Sequence, residues 1–351
     1  MKAVILAGGF GTRLKRIVYD IPKPMAFIAG MPFLEHQIRF LKEQGIEDII
    51  LCVSFMADKI KSYFGDGRRV GVNITYSEEE IPLGTAGAIK KAEKYINDTF
   101  LVLNGDSYSN LNLNDLIKFH KAKKSNFTIA VTKVSNPADF GSISLKESKI
   151  INFSEKSESI ESLVNSGVYV FEPKIFYYIE SEKIVSFEKE IFPLLVEEES
   201  LWGYQYDGYF VDIGKPETYA KFKNDVLDTL MLGAENKVRD ALNKINKSGI
   251  NIVLVVDKEK KLCGVLTDRI ITGFMLKGGN LDDSISVAMV RDPITAKIKD
   301  DKNKIAQLLL SGINQLPILD EKGRVVDVEF RVERIKTESF PIVMGKAPLR
   351  V

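Results

Sequence analysis

Lys2-Ala-Val-Ile-Leu6 runs straight into Ala7-Gly8-Gly9-Phe10-Gly11-Thr12-Arg13-Leu14. A short apolar run closed by glycines reads as a buried strand feeding a loop, and nucleotide sites lie at such strand ends in α/β proteins. Outward from it, Phe33, Leu34, Ile38 and Leu41 recur at helical spacing and Gly45 supplies a stop. Asp48-Ile-Ile-Leu-Cys-Val53 then reads as the next buried strand. That is a β-α-β unit. The alternation continues with a helix over 86–95, a strand over 99–103, a helix over 113–121 and a strand over 127–132. The expected class is therefore α/β, with a mostly parallel, Rossmann-like sheet flanked by helices in a first domain spanning 1–228.

Three glycines in the loop let backbone N–H groups approach phosphate oxygens without interference from a Cβ, and Thr12 and Arg13 add side-chain donors. The loop is a candidate triphosphate cradle. It is not a Walker loop, because no Gly-Lys-Ser/Thr follows, and it departs from the dinucleotide fingerprint, because Leu14 stands where the third glycine belongs. In Ile21-Pro-Lys-Pro-Met25, two prolines are expected to hold Lys23 in an extended, exposed segment beside the cradle. Further on, Asp106 follows an apolar strand. Asp212 stands between Val211 and Ile213, where a carboxylate calls for a cation or a hydrogen-bond partner. His36 and His120 fall on expected helices with no acid or cysteine partner nearby in sequence, and no Ser-His-Asp or zinc pattern emerges.

The glycine loop ending in Gly-Thr-Arg, with the Lys-Pro pair after it, resembles the signature of the sugar-phosphate nucleotidyltransferases, and the resemblance extends across the first domain. Glu80-Ile-Pro-Leu-Gly-Thr-Ala-Gly87 looks like that family's nucleobase loop, and Leu103-Asn-Gly-Asp106 like its metal-binding strand end. Phe153-Ser-Glu-Lys156 and Asn165-Ser-Gly-Val168 look like its sugar-binding segments. Tyr209-Phe-Val-Asp-Ile-Gly214 looks like the segment with a second metal carboxylate. The resemblance implies an enzyme that joins a sugar 1-phosphate to the α-phosphate of a nucleoside triphosphate and releases pyrophosphate. It implies Arg13, Lys23 and Asp106 as catalytic residues, and magnesium as cofactor on Asp106 and Asp212. It places Leu6, Ala7, Gly8, Gly9, Gly11, Thr12 and Arg13, with Gly84, Thr85 and Gly87, around the nucleotide. Gly141, Glu155, Lys156 and Asn165 fall around the sugar phosphate. The Ala-Gly-Gly form of the loop and the Pro-Leu-Gly-Thr-Ala-Gly segment look like guanylyltransferases that use GTP and mannose- or heptose-type 1-phosphates. Asp212-Ile-Gly-Lys-Pro-Glu-Thr-Tyr219 is most similar to the D-glycero-D-manno-heptose 1-phosphate guanylyltransferases. Uridylyl, thymidylyl and cytidylyl transfer stay open, as does a regulatory protein that binds nucleotide without chemistry.

The chain has 351 residues, 45% of them hydrophobic, enough for two cores, and its 49 Lys plus Arg nearly balance 48 Asp plus Glu. Without a global basic field, the expected partners are small molecules, not nucleic acid or an anionic membrane. Cys52 and Cys263 lie far apart in apolar runs and read as buried free thiols. No apolar stretch approaches 18 residues and no signal-peptide pattern opens the chain, so a cytoplasmic location is expected.

From about 232 to 335 a second, smaller α/β domain is expected. VLVVDKEKKLCGVL (residues 253–266) and LPILDEKGRVVDVE (residues 316–329) each put an aspartate, Asp257 or Asp320, at a strand end before a charged turn and a second strand. This is an internal repeat of roughly 60 to 70 residues. It resembles a tandem pair of cystathionine-β-synthase-type (CBS) modules, which implies either adenine-nucleotide binding or assembly, a homodimer above all. Two departures weigh against adenosine. Ile270 stands three residues after Thr267, where the pattern has an aspartate on ribose, and Asp327 replaces a glycine. Residues 336–351 form a tail in which Pro341 to Arg350 faintly echoes the opening strand and loop, with Gly345 alone in place of three glycines and no Lys-Pro pair.

Overall fold

A computed structural model describes residues 1–9, 21–135, 142–154 and 161–331. Lys2–Leu6 forms strand β1, followed by a hairpin of β2 (Phe27–Ile28) and β3 (Met31–Pro32), helix α1 (Phe33–Glu43), β4 (Asp48–Val53), α2 (Ala57–Phe64) and β5 (Asn73–Glu78). Next come α3 (Gly84–Lys91), β6 (Phe100–Asn104), β7 (Ser107–Ser109), α4 (Leu113–Ala122), β8 (Phe127–Ser135), β9 (Ser142–Lys146) and β10 (Lys149–Ser154). Then follow β11 (Glu161–Phe171), α5 (Phe192–Glu197), β12 (Leu201–Gln205), β13 (Phe210–Asp212) and α6 (Pro216–Thr229).

Nine strands form one sheet in the order β5-β4-β1-β6-β11-β8-β12-β10-β9. The α/β class is as the sequence implies, and β5, β4, β1 and β6 run parallel. Beyond β6 the pairing changes. β11 lies antiparallel to β6 and β8, and β10 antiparallel to β9 and β12, so the sheet as a whole is mixed instead of mostly parallel. A local cause is visible between β9 and β10: the two-residue turn Glu147-Ser148 has φ of 51° and 69°, the doubly left-handed conformation that reverses a chain into an antiparallel neighbour.

Alternation along β1 sends Ala3 and Ile5 to one face of the sheet and Val4 to the other, and all three are fully buried. Leu34, Ile38 and Leu41 of α1, Ile60 of α2 and Leu116 of α4 cover the first face. Ala86 and Ile89 of α3 and Phe192 and Leu195 of α5 cover the second. Each valine, leucine, isoleucine or phenylalanine among them contributes about 1.5–3 kcal/mol by leaving water, which is why the strand is apolar on both sides. Cys52 is buried as expected, whereas Cys263 is only partly covered; both are free thiols.

Among the described residues, contacts gather Met1–Ala26 with Pro32–Thr218 into one compact unit, and Phe27–Met31 with the chain from Tyr219 onward into another. In the second unit the internal repeat is a repeat of topology. β14 (Met231–Leu232), α7 (Val238–Ser248), β15 (Val253–Val256) and β16 (Leu262–Leu266) form the first copy, followed by α8 (Asp268–Leu276) and α9 (Ile285–Ala288). β17 (Ala296–Lys297), α10 (Lys302–Leu310), β18 (Gln315–Leu319) and β19 (Val325–Phe330) form the second. Each copy pairs its first strand parallel and its last antiparallel to the middle one. The repeated aspartates do the same work: Asp257 accepts the backbone N–H of Glu259 and Lys261, and Asp320 those of Lys322 and Arg324. Thr267 caps α8 through the N–H of Ile270, whose side chain packs on the core of the first copy. Asp327 pairs with Lys223 of α6, and Tyr219 of the same helix donates to the carbonyl of Phe27 at 2.5 Å. No helix among the described residues is long and apolar enough to cross a membrane.

Candidate active site

The turn between β6 and β7 carries Asp106, and every side of it is pinned. The N–H of Gly105 donates to the carbonyl of Leu6 at 3.0 Å, and a Cβ at Gly105 would stand 2.3 Å from that oxygen, so only glycine lets the turn sit against the end of β1. The N–H of Ile213 donates to the carbonyl of Asp106 at 2.9 Å. β13 pairs antiparallel with β7 in a register that sets Asp212 opposite Ser107, which brings the two sequence-predicted carboxylates to neighbouring positions of one ribbon.

Lys23 joins them. Its Nζ donates to Asp106 Oδ2 at 2.7 Å and lies 4.0 Å from Asp212 Oδ1, with the lysine side chain only 10% exposed. Here the structure corrects the expectation of an extended, exposed segment. Lys23–Met25 is a 3-10 turn closed by bonds from Met25 to Pro22 and from Ala26 to Lys23. Pro24 falls in the first turn, where its missing N–H costs nothing, and the two carboxylates draw the ammonium inward. Gly214 completes the wall: its N–H donates to Asp212 Oδ1 at 2.5 Å, and a Cβ there would lie 3.1 Å from Lys23 Nζ.

Of the glycine loop, Leu6, Ala7, Gly8 and Gly9 are described, and Ala7 is tied by its N–H to the carbonyl of Cys52. Gly11, Thr12 and Arg13 lie outside the described residues. A Cβ on Gly8 would come within 3.1 Å of Glu79 Oε1, and Glu79 Oε2 accepts the N–H of Leu83 at 2.8 Å. Glu79 therefore sits between the start of the cradle and the segment Gly84–Gly87. Burial pushes its carboxyl above the ordinary value, against the pull of the Leu83 N–H and Lys91. Nothing in the sequence singled it out.

Gly84 and Gly87 have a structural reason of their own. Gly84 has φ of +77°, and its Cβ would stand 2.5 Å from the carbonyl of Val185; that of Gly87 would stand 2.7 Å from the carbonyl of Lys183. The Thr85 hydroxyl donates to Glu188 at 3.0 Å and accepts the N–H of Phe187 at 2.9 Å, so this side chain is engaged inside the protein. On the sugar side, Asn165 is likewise engaged. Its Nδ2 donates to Tyr169 Oη at 2.9 Å and its Oδ1 accepts the N–H of Gly167, while Tyr169 reaches Asn104. Gly141, Glu155 and Lys156 lie outside the described residues.

Two carboxylates converging on one cation form a hard oxygen donor pair, and no cluster of three or more His, Cys, Asp or Glu exists among the described residues. That set suits magnesium, which takes one or two carboxylates and completes its shell with water and phosphate oxygens. In the structure the Lys23 ammonium holds the cationic position.

A family model described as Nucleotidyl transferase matches residues 2–229, and one described as CBS domain matches residues 225–277. The D-glycero-alpha-D-manno-heptose 1-phosphate guanylyltransferase of Campylobacter jejuni is 39% identical over 226 residues, 63% of this chain and 98% of the relative. Mannose-1-phosphate guanyltransferase 2 of Candida glabrata is 36% identical over 262 residues, 72% of either chain. The crystal structure of HddC from Yersinia pseudotuberculosis complexed with GMP-PN superposes with a TM-score of 0.58 at 35% identity, over 64% of this chain and 99% of that one.

Proposed function

We propose that this chain, which belongs to the nucleotidyl transferase family and is a sugar-1-phosphate nucleotidyltransferase carrying a CBS domain, transfers GMP from GTP to a mannose- or heptose-type sugar 1-phosphate. The observation that carries the reading is the Lys23 ammonium held between Asp106 and Asp212 at the strand end beside the glycine loop.

An oxygen of the sugar 1-phosphate attacks the α-phosphorus, a new P–O bond forms in line, and the bond to the bridging oxygen breaks as pyrophosphate leaves with its electron pair. The attacking phosphate is already ionised at neutral pH, so no side chain has to remove a proton. What remains for the protein is positioning and charge neutralisation. Lys23 stabilises the charge that builds on the α-phosphoryl oxygens, and Asp106 and Asp212 fix its ammonium in place. Backbone N–H groups from Leu6 to Gly11, with Thr12 and Arg13, cradle the β- and γ-phosphates, and the backbone of Gly84 to Gly87 borders the base. Lys156 clamps the sugar phosphate, while Gly141, Glu155 and Asn165 border the sugar. Magnesium, when bound by Asp106 and Asp212, supplies further neutralisation of the phosphate oxygens. A product of this kind feeds glycan assembly. We place the enzyme in the cytoplasm, and as a homodimer; the exposed apolar side chains Leu276, Val287 and Leu310 of the second unit support the dimer.

Asp106→Asn tests the site. It keeps the shape of the side chain and removes its charge, so turnover in a pyrophosphate-release assay is expected to fall at least about 100-fold with an unchanged circular dichroism spectrum. Near-native turnover would remove Asp106 from the chemistry.

A further inference from the structure

Gln37 lies on the buried face of α1, beside Leu34, Ile38 and Leu41, and is 1% exposed. Its side-chain nitrogen donates to two backbone carbonyls, Asn104 at 2.8 Å and Ser107 at 2.7 Å. Both partners are acceptors only, so the amide's orientation is fixed by chemistry: Nε2 faces the turn and Oε1 faces away. These carbonyls bracket Gly105 and Asp106. One amide therefore spans the whole turn that presents the carboxylate to Lys23. The start of α1 is tied to the lysine turn as well, because the N–H of Phe33, the first residue of the helix, donates to the carbonyl of Ala26, the residue that closes that turn.

The arrangement is costly in one respect. Gln37 Oε1 is buried with no hydrogen-bond partner among the described residues. A methionine would fill the same space without stranding an oxygen, but it would take the donors away from the Asn104 and Ser107 carbonyls, so the glutamine leaves one oxygen unpaired in order to pair two. What only the amide supplies is a pair of donors that sets the distance between two backbone carbonyls.

We propose that Gln37 is a positioning residue: by clasping Asn104 and Ser107 it fixes the Asp106 carboxylate relative to Lys23, with α1 serving as the ruler between the two turns. The proposal rests on the reading of Asp106 and Lys23 given above. Outer partners that orient a charged site group typically change affinity or turnover by 10- to 100-fold. The geometry thus gives a specific pattern of effects, losses at the site beyond those that the two missing hydrogen bonds cause in stability.

The test uses the full chain with Gln37→Met and Gln37→Glu, and Asp106→Asn alongside. Three quantities are measured: turnover and apparent KM by pyrophosphate release, melting temperature, and affinity for Mn2+ followed by the electron paramagnetic resonance signal of the free ion, which needs no substrate. For Gln37→Met we expect turnover to drop roughly 10-fold, KM for the triphosphate to stay within about 3-fold, and Mn2+ affinity to weaken roughly 10-fold, while the melting temperature falls by about 3–10 °C, which leaves the variant folded at the assay temperature. Gln37→Glu keeps the shape but turns an acceptor toward two carbonyls, and should lose more of both turnover and Mn2+ affinity than the methionine variant. Native turnover and Mn2+ affinity in Gln37→Met, or losses that only track a falling melting temperature, would overturn the role of Gln37 while a dead Asp106→Asn leaves the function standing. If Asp106→Asn itself keeps native turnover and Mn2+ affinity, the underlying reading of the site has failed, and Gln37 has nothing to position.

Discussion

Lys23 and Asp106 are 83 residues apart in the chain yet share a 2.7 Å hydrogen bond, and that pairing is what neither local pattern could announce. The residue types were legible: a lysine between prolines, an aspartate after a strand, a second aspartate between apolar neighbours. Their mutual geometry was not, because it depends on how β1, β6 and β13 assemble, and so Lys23 was expected to be exposed. The hydroxyl of Thr85, in the nucleobase-like segment, bonds to Glu188 and to the N–H of Phe187, partners about a hundred residues away that no local pattern announces. His120 belongs to the packed interior. It is 1% exposed, with Nδ1 at 2.8 Å from Thr128 Oγ1 and Nε2 at 3.3 Å from Glu172. Burial pulls its pKa below the ordinary 6.5, with Lys121 adding to the effect and Glu172 opposing it. A folded-state pKa that is depressed means the unfolded chain takes up the proton first. The stability His120 contributes is therefore complete above about pH 6.5 and is lost as pH falls toward its folded value, by up to about 1.4 kcal/mol per pH unit. His120→Gln should flatten the dependence of melting temperature on pH between 7.5 and 5.5 relative to the native chain. Parallel curves would show that His120 does not titrate on unfolding.

At the scale of elements, periodicity and glycine stops located β1, α1, β4 and α4 because those signals are local, and the repeat located β15, β16, β18 and β19 because it appears twice. α1 also carried a signal that was passed over. Gln37 falls within the apolar stripe of Phe33, Leu34, Ile38 and Leu41, and a polar residue on a buried face demands partners. The antiparallel half of the sheet was not legible for a plain reason: its β9–β10 turn is Glu-Ser, not one of the glycine or asparagine pairs that advertise a left-handed turn. The start of α3 gives an element-scale test. Gly84 has a positive φ and no room toward Val185, so Gly84→Ala should cost about 1–3 kcal/mol in chemical denaturation and raise the apparent KM for the triphosphate as the segment shifts. A variant as stable as the native chain would mean that the close approach of residues 183–185 is not what demands glycine there.

For the whole molecule, the described chain divides into two compact units, and the hairpin Phe27–Met31 groups with the later one although it lies early in sequence. A sequence read left to right assigns such a hairpin to its neighbours in the chain. Only packing reassigns it: Tyr219 holds the carbonyl of Phe27, and a Cβ on Gly30, with φ of +83°, would fall 2.3 Å from the ring of Phe330. In the second unit the departures from the adenosine-binding pattern have local uses: Ile270 packs against the core of the first copy, and Asp327 forms an ion pair with Lys223. The central claim is that the first unit transfers a nucleotide to a sugar 1-phosphate. Its most direct test is pyrophosphate release by the full chain with magnesium, over a matrix of GTP, UTP, dTTP and CTP against mannose, heptose and glucose 1-phosphates. Release should require both substrates and be greatest for GTP with a mannose- or heptose-type 1-phosphate. Release from no pair in the matrix would contradict the claim.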